Sequence, residues 1–361
     1  MALSTPTRTT TTVDAVDDPV ARREARRTGS RSTRALGLAG ATVLLTGVAF
    51  ASLAFGAKAI PLATVWDALW AFDPTVTDHL VVRELRMPRT AVGLMVGVAL
   101  GLAGALMQGV SRNPLADPGI LGVNAGAALA VVIGIYVFGV GSLLGYVWFA
   151  FAGAAVASAI VYGIGSLGRE GATPVKLALA GAAVTALLGS LTTAILLIDV
   201  ATLDQFRFWA VGSLAGRTDE VAWQVAPFVA VGVVMALVSG RLLNALALGD
   251  DVARSLGQRV ARARLFTAAA TVVLAGAATA AAGPIGFVGL TVPHVARALT
   301  GPDYRWVLPY SMVLAPALLL GADVIGRVVV RPGELQVGIV TALVGAPFFI
   351  ALVRRRKLAE L

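Results

Sequence analysis

Long apolar runs separated by short polar breaks extend over most of the chain, from Ala35 to Val353. A helix needs about 20 mostly apolar residues to cross roughly 30 Å of hydrocarbon, and runs of that length recur here. The pattern therefore predicts an all-α polytopic membrane protein with ten spanning helices and no separate soluble domain. We place the spans at residues 35–56, 87–110, 119–140, 144–166, 174–198, 221–240, 265–282, 285–299, 306–322 and 334–353.

Positively charged residues outside these spans predict how the chain is oriented. Residues 1–34 are rich in Thr, Arg and Asp, so we expect a disordered basic tail ahead of a ten-helix domain over residues 35–357. Because Lys and Arg are enriched in cytoplasmic loops, this tail, the loop 242–264 and the basic stretch 354–357 are predicted to be cytoplasmic. Since the number of spans is even, both termini then lie in the cytoplasm.

Composition supports the membrane prediction and argues against nucleic-acid binding. Hydrophobic residues make up 57% of the chain and charged residues 14%. A formal net charge of +9 could suit nucleic acid, but the arginines lie at the ends of spans and in the tail rather than on one soluble face. We therefore predict no nucleic-acid partner.

Several kinds of chemistry lack the residues that they need. The chain has no cysteine, and its two histidines, His79 and His294, are too few for a histidine-rich metal site. It also has no G-x-x-x-x-G-K-[ST] motif, so it cannot hydrolyse ATP in the P-loop manner. We predict no catalytic residue, no metal site and no cofactor.

Acidic residues are absent from the middle of the predicted spans. Asp199 and Asp323 lie near span ends, and Glu334 begins the last span. Because ion-coupled carriers usually bury carboxylates within their spans, an ion-coupled secondary carrier is the weaker hypothesis. The energy source for any transport is then expected on another chain.

Two clusters of arginine on the predicted outer side are exceptions to the orientation rule. They are Arg83, Arg86 and Arg89 before the second span, and Arg327 and Arg331 in the last outer loop. A single outer arginine can snorkel, or pair with a nearby acid such as Glu84 or Glu334. Taken together, the clusters also offer forked donors to the carboxylates of a docking partner or to an anionic ligand.

The polar loop 242–264 carries apolar residues at helical spacing on either side of Gly249. These are Leu242, Leu243, Leu246, Leu248, Val252, Ala253, Leu256 and Val260. The spacing predicts a short helix, a glycine turn and a second short helix. Such a pair can lie on the lipid surface or dock in the groove of a partner protein, and the pattern alone leaves both open.

Five ordered blocks of the sequence resemble the FecCD family of ABC-importer permeases. They are "RMPRTAVGLMVGVALGLAGALMQGVSRNPLADPGILGVNAGA" (86–127), "QFRFWAVGSL" (205–214), "LNALALGDDVARSLGQRVARAR" (243–264), "GPIGFVGLTVPHVARALTGPDYRWVLP" (283–309) and "GADVIGRVVVRPGELQVGIVTALVGAPFFIALVRRR" (321–356). The resemblance extends from about Ala35 to the C-terminus. Within the family, the blocks are most similar to the D-type permease subunits of ferric-enterobactin importers.

This resemblance implies a type II ABC-importer permease fold of ten helices in the bacterial plasma membrane. Members of the family import iron-siderophore complexes, haem or cobalamin, and the D-type similarity favours an iron(III)-siderophore. The implied partners are two ATP-binding subunits, a substrate-binding protein or lipoprotein, and a second permease subunit that is a related G-type chain or an identical copy. Transport by alternating access would then be driven by ATP hydrolysis on the separate ATPase.

Three sets of residues acquire roles only through this resemblance. The outward arginines that meet acidic residues of the binding protein correspond to Arg86, Arg89 and Arg327. The positions of the family's ATPase-coupling helices correspond to Leu243, Leu248, Gly249, Ala253, Leu256 and Gly257. The transport pathway of family members is lined largely by the fifth, eighth and tenth spans, where small or polar residues here include Thr185, Ser190, Thr192 and Thr193.

Overall fold

The computed structural model describes residues 31–168 and 172–354, and the regular structure within those ranges is helical. A π-helical turn, Val81–Arg86, interrupts the helix that runs from Thr77 to Ser111, and a short 3₁₀ helix, Pro118–Leu121, precedes the helix that follows it. The helices are α1 (Arg31–Ala54), α2 (Leu62–Trp70), α3 (Thr77–Ser111), α4 (Val123–Phe138), α5 (Leu143–Gly165), α6 (Pro174–Ile198), α7 (Val200–Ala210), α8 (Asp219–Ala247), α9 (Asp250–Ser255), α10 (Val260–Ala282), α11 (Val288–Thr300), α12 (Tyr304–Val329) and α13 (Val337–Arg354).

The predicted all-helical membrane fold is confirmed, since each of the ten predicted spans corresponds to a helix. Within the described ranges, seven helices are long and apolar enough to cross a membrane: α1, α3, α5, α6, α8, α10 and α12. The other three spans, α4, α11 and α13, are shorter. A short helix at membrane depth satisfies its end groups only inside protein or beside a water-filled cavity, so these three depend on their neighbours.

Three details differ from the sequence prediction. Helix α1 begins at Arg31, so the last four residues of the predicted tail 1–34 are helical, while residues 1–30 lie outside the described residues. Helices α2 and α7 were not predicted, because both are too short to span. The first short helix predicted within the loop 242–264 is the end of α8, which runs without a break to Ala247.

Helix α3 lies at the centre of the bundle and packs against α8, α10, α11 and α12. In its most apolar 18-residue window, 78% of the residues are buried. Glycine makes the close approach possible, since a Cβ added at Gly104 would lie 1.8 Å from the carbonyl oxygen of Gly289 in α11. Small residues at such contacts let helices in lipid pack backbone to backbone.

Helix α6 lies at the periphery, because only 17% of its most apolar window is buried within this chain. Its exposed leucines include Leu179, Leu187, Leu191 and Leu197. An apolar helix face of this size is covered by lipid or by another membrane protein. Helix α2 shows a different exposure, with Trp66 and Trp70 on its surface, and tryptophan is typical of the membrane–water interface.

Candidate functional site

The two ends of the central helix α3 carry the charged residues that the sequence singled out. Arg86 and Arg89 lie near its N-terminal end, which we predict to face outward and call the outer end. Arg112 directly follows its C-terminal end, which we call the inner end. At 1.5 Å per residue, Arg89 and Arg112 are about 35 Å apart, which is enough to separate them across a bilayer.

Asp323 in α12 holds two arginines of the outer end. Its Oδ1 accepts a hydrogen bond from Nη2 of Arg89 at 2.8 Å, and its Oδ2 lies 3.0 Å from Nη2 of Arg327. Nη1 of Arg89 also donates to Oε2 of Glu334 at 2.7 Å. Asp323 is fully buried, so these charges stabilise one another away from water. We call Arg86, Arg89, Asp323, Arg327 and Glu334 the outer arginine network.

Oxygen atoms of α1 and of the loop after it accept further hydrogen bonds from arginines of the outer arginine network. Arg86 donates to three carbonyl oxygens at and just after the C-terminal end of α1, at 2.6–2.8 Å. Arg327 donates to the carbonyl oxygen of Ser52 at 3.1 Å and to its Oγ at 2.9 Å. The arginines predicted to meet a binding protein are thus buried and paired within the chain. Their docking role stays a prediction.

A pocket of about 370 Å³ lies beside this network, and we call it the outer pocket. Its charged lining residues are Lys58, Glu84, Arg86, Arg89, Arg217, Arg327 and Glu334. Five of these side chains are cationic and two are acidic, so the lining has a net positive charge, although Asp78 and Asp323 next to it pair with three of the cations. Such a pocket favours an anion.

Arg217 differs from the other cations of the outer pocket, since no partner for it occurs in the part of the chain that the structure describes. It lies between α7 and α8, is only 5% exposed, and its Nε is buried without an acceptor. Burial first, and then the charge of Arg89, lower the pKa of Arg217 to about 10. The guanidinium group therefore stays charged at neutral pH, although its surroundings disfavour the charge.

At the inner end, the predicted coupling residues divide into exposed and buried sets. Leu248 is 60% exposed, Val252 45% and Leu256 62%. Leu243 and Ala253 are fully buried, so they support the loop from within and leave the exposed side chains for contacts. We call Leu248, Val252 and Leu256 the inner apolar surface.

Two glycines shape the turns on either side of α9. Gly249 has φ 98° and ψ 157°, and Gly257 has φ 80°. A side chain at these angles would clash with its own backbone, so glycine is the residue that fits. The turn at Gly249 ends α8 and redirects the chain into α9, which separates Leu248 from Leu256 by one short helix.

Asp250 anchors α9 to two spanning helices. Its Oδ1 lies 3.1 Å from Nη2 of Arg112, at the end of α3, and 2.9 Å from Nη2 of Arg264 in α10. The side chain of Asp250 is 24% exposed and that of Arg264 is 8% exposed. We call Arg112, Asp250 and Arg264 the Asp250 cluster. It joins the inner apolar surface to the central helix of the bundle.

The predicted pathway residues lie on α6, in two different environments. Thr192 is buried, whereas Thr185, Ser190 and Thr193 are exposed on the surface of this single chain. The hydroxyl groups of Ser190, Thr192 and Thr193 donate to carbonyl oxygens one turn earlier, at 2.8–3.0 Å. Their place in a transport pathway stays a prediction.

The chemistry available at these sites is charge pairing and hydrogen bonding. Within residues 31–168 and 172–354, no group of three or more His, Asp or Glu side chains could hold a metal ion. The sequence did not reveal the roles of three residues. Asp323 is the partner of two arginines, Asp250 anchors α9, and Arg217 is buried in the outer pocket. The first had a signal, because Asp323 stands four residues before Arg327 and shares its helix face.

Comparison with known proteins decides the family. The profile of the FecCD transport family matches residues 44–355. The chain belongs to the FecCD family. This FecCD chain is 50% identical over 326 residues to the ferric enterobactin transport system permease protein FepD of Escherichia coli K12, covering 90% of this chain and 96% of FepD. It is 44% identical over 325 residues to the iron(3+)-hydroxamate import system permease protein FhuB of Bacillus subtilis 168, covering 89% and 83%.

A solved structure supports the same assignment. The FecCD chain matches an inward-facing conformation of a metal-chelate type ABC transporter with a TM-score of 0.78 and 30% identity, covering 88% of this chain and 98% of that chain. The predicted family and the predicted ABC-importer permease fold are both confirmed. This FecCD chain is therefore a membrane-embedded permease of an ABC importer.

Proposed function

We propose that this chain is the permease subunit of an ATP-driven importer that moves iron(III)-siderophore complexes into the cytoplasm. The main support for this substrate class is the 50% identity, over 90% of the chain, to a ferric enterobactin permease. Hemin and cobalamin permeases are also relatives, but their identities are 36% and 37%. A hemin or cobalamin substrate is the second candidate.

ATP would act through the inner end. The chain has no P-loop motif, so hydrolysis belongs to two separate ATP-binding subunits. The inner apolar surface offers a partner exposed leucines at Leu248 and Leu256, next to turns fixed by Gly249 and Gly257. A helix that presents apolar anchors in this way suits docking in a groove. The Asp250 cluster would then transmit movement of α9 to α3 and α10.

The outer end would receive the substrate from a binding protein. The net positive charge of the outer pocket lining attracts an acidic partner and speeds its approach. Arg86, Arg89 and Arg327 contribute this charge from within the outer arginine network. The substrate then passes between this chain and a second permease subunit, which we propose is a related G-type chain. The largely exposed helix α6, with Thr185, Ser190, Thr192 and Thr193, is proposed to line that pathway.

The transport cycle would alternate between outward and inward access, with the complex in the plasma membrane and both termini in the cytoplasm. The loop 242–264, which carries much of the inner positive charge, supports this orientation. The solved relative is in an inward-facing conformation. No covalent step is required of this chain, since the substrate leaves it chemically unchanged.

Radiolabelled uptake tests this function. Deleting the gene in a strain without another siderophore importer should abolish uptake of ⁵⁵Fe-siderophore, and expression of the chain with its partners should restore it. Unlabelled ferric siderophore should compete with uptake, whereas hemin and cobalamin should not. Uptake that is unchanged by deletion would contradict the proposal, and competition by hemin or cobalamin alone would establish the second candidate. Uptake that follows an ion gradient without ATP would favour a secondary carrier.

A further inference from the structure

A second charged pocket, of about 630 Å³, lies at the inner end of the bundle, and we call it the inner basic pocket. It lies where the end of α5 and the start of α10 meet the segment before α6. Its lining includes four arginines and, among the residues that the structure describes, no Asp or Glu. The arginines are Arg254, Arg259, Arg262 and Arg264. An excess of positive charge of this kind favours an anion.

Only part of this positive charge is neutralised within the described residues. Arg254 and Arg264 pair with aspartates of α9, at 2.7 and 2.9 Å. Arg264 also donates to the carbonyl oxygen of Ala172 at 3.3 Å, but its Nε is buried and has no acceptor among these residues. Arg259 and Arg262 are exposed, and neither has a hydrogen-bond or ion-pair partner in the part of the chain that the structure describes. These two guanidinium groups are therefore available to a ligand.

The N-terminus of α10 adds backbone donors to the inner basic pocket. Val260, Ala261 and Arg262 are the first three residues of this helix, and all three line the pocket. The N–H groups of a first helical turn have no acceptor within the helix. Arg259 at the N-cap position makes no capping hydrogen bond, and the first turn contains no acidic residue. Such a terminus suits phosphate, because its free N–H groups and the helix dipole both favour negative charge.

The inner basic pocket lies at the level of phospholipid headgroups. Its lining includes Ser166, the last residue of the predicted span 144–166, and Leu265, the first residue of the predicted span 265–282. The ends of spans mark the boundary between hydrocarbon and headgroups, where tyrosine is enriched, and Tyr162 also belongs to the lining. Leu265 is 53% exposed, so an apolar surface borders the arginines. A ligand in this position meets both positive charge and hydrocarbon.

We propose that the inner basic pocket binds the phosphate group of an anionic phospholipid such as phosphatidylglycerol. Arg259 and Arg262 present planar forks of N–H groups that match phosphate oxygens, and the N-terminus of α10 supplies further donors. The acyl chains extend past Leu265 into the hydrocarbon. Basic pockets between spanning helices are suited to acidic headgroups in this way. This inference goes beyond the proposed import of siderophores and does not depend on the substrate.

Fluorescence quenching beside the pocket tests which lipid occupies it. Ala269 is exposed on α10, one turn deeper than Leu265, and the chain has no cysteine, so Ala269→Cys accepts a single bimane label. The assembled transporter is placed in nanodiscs that contain spin-labelled phosphatidylglycerol or spin-labelled phosphatidylethanolamine. The lipid fraction that gives half-maximal quenching should be at least about tenfold lower for phosphatidylglycerol, because nearby arginines favour the anionic headgroup. Equal fractions for the two lipids would overturn the proposal.

Substitution tests whether the two available arginines cause this preference. Arg259→Gln together with Arg262→Gln, in the Ala269→Cys background, should bring the two half-maximal fractions to within about twofold of each other. The matched control is Arg241→Gln together with Arg354→Gln, which removes two exposed arginines that do not line the pocket. The control loses the same net charge and should keep the full preference. If both double variants keep it, or both lose it, the pocket does not hold the lipid. An unchanged melting temperature verifies that the variants are folded.

Two further measurements separate a lipid from other occupants. Millimolar inorganic phosphate or glycerophosphoglycerol should leave the quenching by phosphatidylglycerol unchanged, since neither compound has an acyl chain. Relief of quenching by either would assign the pocket to a soluble phosphate compound and overturn the proposal. The ATP-binding subunits should co-purify equally with the wild type and the pocket double variant, and their loss from that variant would assign the pocket to the ATPase contact instead. None of these measurements requires siderophore uptake, so failure of the proposed function would leave this inference standing.

Discussion

The outer and inner ends of this permease use the same kind of ion pair in different ways. At the outer end, Asp323 is fully buried between Arg89 and Arg327. At the inner end, Asp250 is 24% exposed and joins Arg112 to Arg264. When a buried pair loses one partner, the remaining charge is left uncompensated. In a partly exposed pair, water solvates the remaining charge and makes up part of the lost interaction. We therefore expect the outer pair to contribute more to the stability of the fold than the inner pair does.

Apolar exposure shows the same contrast. The inner apolar surface presents Leu248 and Leu256 next to polar side chains, beyond the end of α8. The outer pocket instead presents charge, and Arg217 there has no partner among the residues that the structure describes. A partner at the inner end would be held by apolar anchors, and a partner at the outer end by charge. The second kind of contact weakens as salt rises, because dissolved ions screen exposed charges, whereas the first kind does not.

The largest expected effect is at Asp323. Asp323→Asn would leave Arg327 buried without a carboxylate and Arg89 with Glu334 alone, which should destabilise the protein by about 3–5 kcal/mol. Thermal unfolding of the purified complex should show this as a clear fall in melting temperature. The control is Glu334→Gln, where the side chain is 32% exposed and the loss should be below about 1 kcal/mol. Equal effects of the two substitutions would contradict the buried anchor.

The next largest effect should follow from removing the inner leucines. Leu248→Ala together with Leu256→Ala should weaken binding of the ATPase by about 2 kcal/mol, or roughly thirtyfold, without changing thermal stability. Co-purification and surface plasmon resonance measure this. Leu36→Ala is the matched control, because Leu36 is an equally exposed leucine, 74% accessible, on a different helix, α1. If the double variant retains the ATPase as firmly as Leu36→Ala does, the inner apolar surface is not the contact.

A smaller effect is expected at Asp250. Asp250→Asn should leave ATP hydrolysis intact but lower the substrate moved per ATP roughly fivefold, because a partly exposed pair is worth about 1 kcal/mol. Asp251→Asn is a close control, since Asp251 is 98% exposed and its partner among the described residues is Arg254, within α9 itself. Simultaneous uptake and phosphate-release measurements test this. If the two variants move the same amount of substrate per ATP hydrolysed, the Asp250 cluster does not transmit movement.

The smallest expected effect is a loss of stability at low pH, which depends on Asp303 at the inner end. Burial raises the pKa of Asp303, but hydrogen bonds from Arg305 and Asn244 outweigh it and lower the pKa from 3.8 to about 2. Because the folded-state pKa is below the unfolded one, the stabilisation is present above about pH 4 and is lost as the pH falls toward about 2. After allowance for solvent screening, it should be below about 1 kcal/mol.

Unfolding measurements across this range check the prediction for Asp303. The wild type should lose stability between about pH 4 and pH 2, and Asp303→Asn should remove that component. Asp251→Asn again serves as the control, since Asp251 lies at the same end in an exposed position. A wild type and an Asp303→Asn variant with the same acid profile would contradict the role of these hydrogen bonds.

The sequence could predict the spans because each is a continuous apolar run, and span positions depend on local composition. It could not predict α2, where burial of Val65 and Ala68 against neighbouring segments stabilises a short helix. The end of α8 was predicted as a separate short helix, because a polar stretch beyond the membrane resembles a loop. Helical propensity and packing carry α8 on to Ala247.

The candidate site could be predicted only in outline. The arginines stood out because they break the orientation rule, but their partner Asp323 lies more than two hundred residues from Arg89 in the sequence. Pairing over such a separation depends on how α3 and α12 pack. Arg217 carried no signal at all, since a single arginine in a polar loop is unremarkable until its burial is known.

The most direct test of the account asks which side of the membrane each end faces. The chain has no cysteine, so Lys58→Cys and Leu248→Cys each introduce a single thiol, at the outer pocket and on the inner apolar surface. In intact spheroplasts, a membrane-impermeant maleimide should label the Lys58→Cys variant at once and the Leu248→Cys variant only after permeabilisation. Labelling of the Leu248→Cys variant in intact spheroplasts would place the loop 242–264 outside and contradict its contact with a cytoplasmic ATPase.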